Sequence, residues 1–262
     1  MQAAVKNAEN TDLSEYSEEI KKAYADYIED ANYLLEHPFT TSEDVEIGIK
    51  LLEEAGKLLK APEPEILVTE VFEDVPEGKW YVNSIQYVYD KGLMSGSGSY
   101  FNPMKNVTRA QLVTTIYRLA GSPKVTDYSA CNDFVDVEPG KYYTDAVCWA
   151  YKEGIATGNN GKFDTTGNLT RQQMAAFFFR FADVMGYDIS DSADFSAMLN
   201  ADKVSGYAVD AVKWAVGSGL ISGSETKDAA GNVVYDLNPR GNTTRAQLSA
   251  ILQRFCEKYV ND

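Results

Sequence analysis

Thr108-Arg109-Ala110-Gln111, Thr170-Arg171-Gln172-Gln173 and Thr244-Arg245-Ala246-Gln247 are three versions of one phrase in a chain of 262 residues. An apolar stripe at helical spacing follows each: Leu112, Ile116 and Leu119; Met174, Phe177, Phe178 and Phe181; Leu248, Ile251, Leu252 and Phe255. Thr-x-x-Gln ahead of such a stripe is a capping box, in which the threonine oxygen and the glutamine side chain satisfy backbone N–H groups left open at a helix start. Threonine and glutamine therefore need no ligand to explain them.

Upstream of each phrase the same landmarks recur around Gly92, Gly154 and Gly219. Twelve residues before each stands an aromatic (Trp80, Tyr142, Tyr207), five before it another (Tyr87, Trp149, Trp214), and four after it a second glycine (Gly96, Gly158, Gly223). Phe101, Phe163 and Leu237 each precede their arginine by eight residues, and Phe72 to Arg109 and Phe134 to Arg171 both span 37. This is an internal repeat. Each copy reads as helix, glycine-rich loop, helix, with first helices near residues 80–90, 142–152 and 207–216 ending at a glycine suited to a left-handed cap. One such hairpin cannot bury its apolar face alone, whereas three packed about a pseudo-threefold axis can. The expected fold is mainly all-α.

The arginines carry the chemical information. Each falls at the first helical position, where the positive end of the helix dipole disfavours a cation. Two readings explain the repeated choice. In one, free N–H groups, the dipole and a guanidinium together form a carboxylate or phosphate site. In the other, each arginine pairs with a protein carboxylate such as Asp74 or Asp136.

Composition narrows the function. With 24 Lys+Arg against 39 Asp+Glu the net charge is -15, which would repel a phosphate backbone, so nucleic-acid binding is not expected. No apolar stretch approaches the roughly 18 residues of a membrane span, so neither is membrane insertion. A single histidine, His37, read as a loop residue before Pro38, excludes His-rich metal clusters, and no cofactor or metal is expected. No repeated or isolated carboxylate pair points to a hydrolase, so the chain reads as nonenzymatic. Cys131, Cys148 and Cys256 lack CxxC spacing; a Cys131 to Cys148 bridge is possible, but buried free thiols are favoured.

Residues 1–61 hold 14 acids and 6 bases and carry helical stripes at Ile20, Tyr24, Tyr27, Ala31 and Leu34 and at Val45, Ile49, Leu52 and Leu59. With a short helix near residues 2–8 they form a three-helix spacer, followed by a Pro/Glu linker at 62–66. Asp12-Leu13-Ser14-x-Tyr16, leading into these helices, resembles FIVAR modules, small helical spacers of Gram-positive surface proteins.

Phe72-x-Asp74-Val75, Gly92-Leu93-Met94-x-Gly96, Phe101-Asn102-Pro103 and Val107-Thr108-Arg109-Ala110-Gln111 together resemble the S-layer homology (SLH) domain. Residues 67–125, 126–187 and 188–262 are then three tandem copies. The resemblance implies a three-pronged spindle with a central helical bundle. It implies noncovalent anchoring to peptidoglycan-linked secondary cell-wall polymer of pyruvylated N-acetylmannosamine type, bound in grooves between repeats. By position, Arg109, Arg171 and Arg245 would meet the pyruvate carboxylate. Gly96, Gly158 and Gly223 would let sugar approach the loop backbone. Trp80, Tyr142 and Tyr207 could wall the groove, or else anchor the first helix by packing, as Tyr87, Trp149 and Trp214 are expected to do. The implied location is the cell surface, with this chain the C-terminal anchor of a longer exported protein. The alternative is a surface-layer assembly module that meets neighbouring copies through arginine salt bridges.

Three departures from the family pattern matter. Glutamine replaces the motif glutamate in every copy. The third copy opens Phe195-Ser196-Ala197-Met198, without the Asp-Val pair. Gly223 to Arg245 spans 22 residues where the other copies span 13, so nine extra residues near 226–234 sit beside the third groove, which is expected to bind weakly or differently.

Overall fold

The computed structural model describes residues 2–14, 16, 18–36, 41–59, 66–228 and 230–260. His37, Ser17 and linker residues 62–65 lie outside them. Packing divides the chain into Met1–Ile66 and Leu67–Asp262.

The first unit is three helices: α1 (Gln2–Glu9), α2 (Glu18–Glu36) and α3 (Ser42–Leu58). Its small core gathers Val5, Tyr24, Ile28, Ala31 and Ala55, and the Tyr24 hydroxyl donates to the Ala8 carbonyl at 3.1 Å. Thr41 caps α3 in a reciprocal box with Asp44.

The second unit is mainly helical: α4 (Val68–Val71), then α5 (Val82–Asp90) and α6 (Arg109–Leu119), α7 (Thr144–Lys152) and α8 (Arg171–Val184), and α9 (Val209–Gly217) and α10 (Arg245–Tyr259) as the helix pairs of the three repeats. Capping boxes of Thr108 with Gln111, Thr170 with Gln173 and Thr244 with Gln247 open α6, α8 and α10. Gly92, Gly154 and Gly219, at φ 65°, 75° and 78°, close α5, α7 and α9. These three first helices begin two residues later than their pattern suggested, which leaves Trp80, Tyr142 and Tyr207 ahead of the helix rather than on it.

The helices of one repeat are not each other's main neighbours. Instead α6 packs on α7, α8 on α9 and α10 on α5, so every second helix docks against the first helix of the next repeat in a closed circle. Leu112, Ile116, Met174, Phe178, Phe181, Leu248, Leu252 and Phe255 join one continuous core. At its axis Val107 donates its N–H to Thr243, Thr243 to Leu169 and Leu169 to Val107, each at 2.8 Å.

Asp74 and Asp136 hold the loops. Asp74 accepts from the Phe101 and Asn102 amides, and Asp136 from those of Phe163 and Thr165, at 2.7 to 2.8 Å. Burial works against the Asp136 charge, but the amides of Thr165 and Phe163 outweigh it and keep its carboxyl below the ordinary carboxylate range. In the third repeat, where that aspartate is missing, Asp236 takes over and accepts from the Asn238 amide and the Asn200 side chain at 2.8 Å. The extra residues there form a hairpin, β1 (Ser224–Lys227) paired antiparallel with β2 (Val233–Asp236).

The cysteines depart from expectation. Cys131 and Cys148 form a disulfide, because the turn at Ser129–Cys131 lies against α7 and brings their Cα atoms to 5.0 Å. Cys256 alone is free, and it is buried. Among the described residues no helix is long and apolar enough to cross a membrane, and no three His, Cys, Asp or Glu side chains are placed to hold a metal.

Two stability outcomes follow. Cys131→Ser/Cys148→Ser should lose about 3 kcal/mol in a denaturant titration, the cost of opening a loop of this size, which spans 17 residues. Thr243→Val should gain about 1 kcal/mol in the same measurement, since the buried Thr243 hydroxyl finds no partner and Val107 fills the equivalent place.

Candidate functional site

Three grooves repeat around the unit, and each is assembled from all three repeats. The first has the loop of repeat one (Ser95, Gly96, Phe101), Arg245 from repeat three and Tyr142 from repeat two. The second has the loop of repeat two (Thr157, Gly158, Phe163), Arg109 from repeat one and Tyr207 from repeat three. The third has the loop of repeat three (Ser222, Gly223, Ser224), Arg171 from repeat two and Trp80 from repeat one. Their volumes are about 390, 710 and 180 Å³.

The arginines begin their helices as the spacing implied, but neither reading of them holds unchanged. The helix-start amides are occupied: Arg109 and Ala110 donate to Gly167 and Thr165, Arg171 and Gln172 to Gly241 and Pro239, and Arg245 and Ala246 to Lys105 and Pro103, at 2.9 to 3.3 Å. No free N–H cluster awaits an anion there. Nor, among the described residues, does a carboxylate lie within salt-bridge distance of these arginines: Asp74 and Asp136 hold loop amides and act on Arg245 and Arg109 only through space.

The guanidinium groups instead cross to the neighbouring loop. Arg109 donates from Nε to the Phe163 carbonyl at 2.9 Å and from Nη2 to Thr157 at 2.8 Å. Arg245 matches it, with Nε to Phe101 at 2.7 Å and Nη2 to Ser95 at 2.6 Å. Arg171 donates from Nε to Leu237 at 3.0 Å and is only 9% exposed. Arg109 also lies over the rings of Phe163 and Phe177, at 5.0 and 5.2 Å, and Arg245 over Phe101 at 4.4 Å. Burial pushes all three guanidinium pKa values down from the ordinary arginine value. Carbonyls take the Nε side of each fork, rings lie against Arg109 and Arg245, and both of these arginines line their grooves.

The aromatic alternatives separate cleanly. Trp80, Tyr142 and Tyr207 are 62%, 63% and 56% exposed and line grooves, so packing does not explain them. Trp149 and Trp214 are buried in the core and Tyr87 packs against it. Burial raises the Tyr142 and Tyr207 hydroxyl pKa values, with Arg109 and Arg180 opposing at Tyr207, so both phenols stay neutral at ordinary pH. The groove glycines also have a packing reason. A β-carbon on Gly96 or Gly158 would meet the Phe72 or Phe134 ring and lie 2.8 Å from the Tyr100 or Lys162 carbonyl. Gly223, at φ 75°, would collide with Met198.

Arg118, Arg180 and Arg254 also line the first, second and third grooves, and the sequence reading passed over them. Their signal was present: each stands nine residues after a motif arginine.

A cyclic unit with one cationic, aromatic-walled groove per repeat is a repeat-built module whose grooves are the candidate sites. The S-layer homology domain family matches residues 71–113, 133–175 and 201–249, just over half of the chain, which belongs to that family. The chain is 31% identical to the S-layer protein sap of Bacillus anthracis over 114 residues, 43% of this chain and 14% of that protein. It is 27% identical to the surface-layer 125 kDa protein of Lysinibacillus sphaericus over 176 residues, 66% of this chain and 14% of that protein. With an amylopullulanase of Thermoanaerobacterium thermosulfurigenes it shares 26% identity over 191 residues, 72% of this chain and 10% of that protein. The chain thus spans about a tenth to a seventh of the length of these relatives. Surface-layer proteins and an enzyme have this segment in common, which supports cell-wall anchoring at the cell surface rather than either protein's separate work.

Gly158→Ala should destabilise the repeat unit by about 1 to 3 kcal/mol in thermal or denaturant unfolding, because the added carbon would overlap the buried Phe134 ring and lie 2.8 Å from the Lys162 carbonyl oxygen.

Proposed function

We propose that the repeat unit is a nonenzymatic anchor that holds its chain to the Gram-positive cell wall by binding secondary cell-wall polymer of pyruvylated N-acetylmannosamine type. The observation that carries this reading is the groove itself: arginine edges, an exposed aromatic and a glycine-lined loop, almost free of acidic side chains on a chain of net charge -15. An anionic sugar would find in each groove a guanidinium fork for its charge, an aromatic face for its ring and loop backbone at close range. Arg109, Arg245 and Arg171 are the proposed carboxylate contacts. Gly96, Gly158 and Gly223 keep the loop walls low, and Tyr142, Tyr207 and Trp80 are the stacking faces.

The first two grooves fall within the roughly 300–1,000 Å³ of small-molecule sites and the third falls below it, so the first two carry the binding. Two sites on one rigid unit engaging a repetitive polymer gain avidity by effective concentration, about 10² to 10⁴-fold. Residues 1–61, within the first unit, are proposed as a FIVAR-like spacer. The recessed position of the arginines, bonded to carbonyls of their own chain, weighs against their serving as salt bridges between neighbouring surface-layer copies.

Cosedimentation with Gram-positive wall sacculi, before and after acid extraction of secondary polymer, tests this reading. Retention should disappear on extraction and fall at least about tenfold in Tyr142→Ala/Tyr207→Ala, whose exposed rings can be removed without opening the core. Equal retention on extracted walls would reject polymer binding.

A further inference from the structure

Six of the chain's seven arginines line the three grooves. Among the described residues none of the six lies within salt-bridge distance of a carboxylate, although acids outnumber bases 39 to 24. Nine residues are two and a half turns of helix, so the two arginines of each second helix point to opposite sides. Arg109 therefore enters the second groove while Arg118, on the same helix, enters the first. By the same rotation Arg180 joins Arg109 in the second groove, and Arg118 joins Arg245 in the first.

Each groove thus holds two guanidinium groups from adjacent repeats. In the second, burial and, to a lesser degree, the charge of Arg180 work against the charge of Arg109, while Asp164 supports it more strongly than Arg180 opposes it. Asp164 is the one acid lining that groove, and none lines the first. Arg118 donates to the Leu93 carbonyl at 3.1 Å and Arg254 to the Leu220 carbonyl at 3.1 Å, whereas among the described residues Arg180 has no hydrogen-bond, ion-pair or ring partner. Two planar guanidinium forks brought together with no carboxylate within salt-bridge distance among the described residues, and with Lys105 beside the first pair and Lys162 beside the second, suit an anion placed between them.

We propose that in each of the first two grooves an anionic substituent of the bound saccharide, a carboxylate or a phosphate, is held between two guanidinium groups. Arg245 and Arg118 hold it in the first groove, and Arg109 and Arg180 in the second. The saccharide rests on the anchoring reading above; the paired-arginine anion site does not. Because the two arms come from different repeats, the anion also ties those repeats together.

The site can be followed in the full chain through the arginine Nε–H signals in ¹⁵N NMR, titrating sodium pyruvate in one series and inorganic phosphate in another. The Arg109 and Arg180 signals should move together and saturate, while Arg240, outside the grooves, stays still. The anion that saturates at lower concentration identifies the substituent as carboxylate or phosphate. Arg180→Gln, which breaks no hydrogen bond or ion pair among the described residues and should melt as the wild type does, should weaken that response at least about tenfold. Arg180→Lys, keeping charge but losing the fork, should fall between. Arg109 and Arg180 shifts no larger than those of Arg240, or a wild-type response in Arg180→Gln, would overturn the proposal. On polymer-bearing walls Arg118→Gln/Arg180→Gln should lose at least about tenfold in retention, and retention within twofold of wild type would equally overturn it. A wild-type chain that ignores walls yet still binds pyruvate or phosphate between Arg109 and Arg180 would retire the anchoring reading and uphold the site.

Discussion

Three amide hydrogen bonds of 2.8 Å, from Val107 to Thr243, Thr243 to Leu169 and Leu169 to Val107, close the repeats into a circle. All three residues are fully buried, so breaking one bond would strand a donor and an acceptor away from water. Each lies directly before a Thr-Arg-x-Gln phrase, so the ring sets where α6, α8 and α10 begin. Of the amides a helix leaves open at its start, the first two in each case reach carbonyls of the neighbouring loop, and the third is taken by the capping threonine. The helix starts are thus sockets between repeats. The arginines, carried out from the same turn, can only land on the neighbour's loop.

That arrangement explains an arginine at a position the helix dipole disfavours. The guanidinium turns away from the helix end to the carbonyls of Phe163 and Thr157, or of Phe101 and Ser95, which offer it partial negative charge at 2.6 to 2.9 Å. Its first role is to fasten two repeats. Any ligand meets the edge left over, already oriented by those bonds, so little rotamer freedom remains to be lost on binding. Fastening leaves the other N–H groups of the same side chain for any such ligand.

What could be read from the chain follows the range of the interactions. Capping boxes, left-handed glycines and apolar stripes act within a few residues, and Thr108 with Gln111 or Gly92 after α5 behaves as its neighbours dictate. Which repeat completes which groove is set by the circle, and nothing local announces that α6 packs on α7 rather than on α5. The disulfide could be named as possible but not favoured for the same reason: 17 residues separate Cys131 from Cys148, and the turn folded back on α7 brings them together. Arg118, Arg180 and Arg254 were visible at fixed spacing. Their meaning needed the half-turn that sends two arginines of one helix to different grooves.

The third repeat shows how the circle distributes the consequences of change. It has lost the aspartate that Asp74 and Asp136 supply elsewhere, with Asp236 holding the loop instead, and a hairpin beside its groove leaves a space less than half that of the first. In an array of self-contained modules such a repeat would have lost its purpose. Here it still supplies Arg245 to the first groove and Tyr207 to the second, and α10 still packs on α5. On the anchoring reading, narrowing one groove removes one site and spares two, whereas losing the repeat would remove all three. The selective constraint on repeat three then falls on its helix start and its leading aromatic, and its loop is free to diverge.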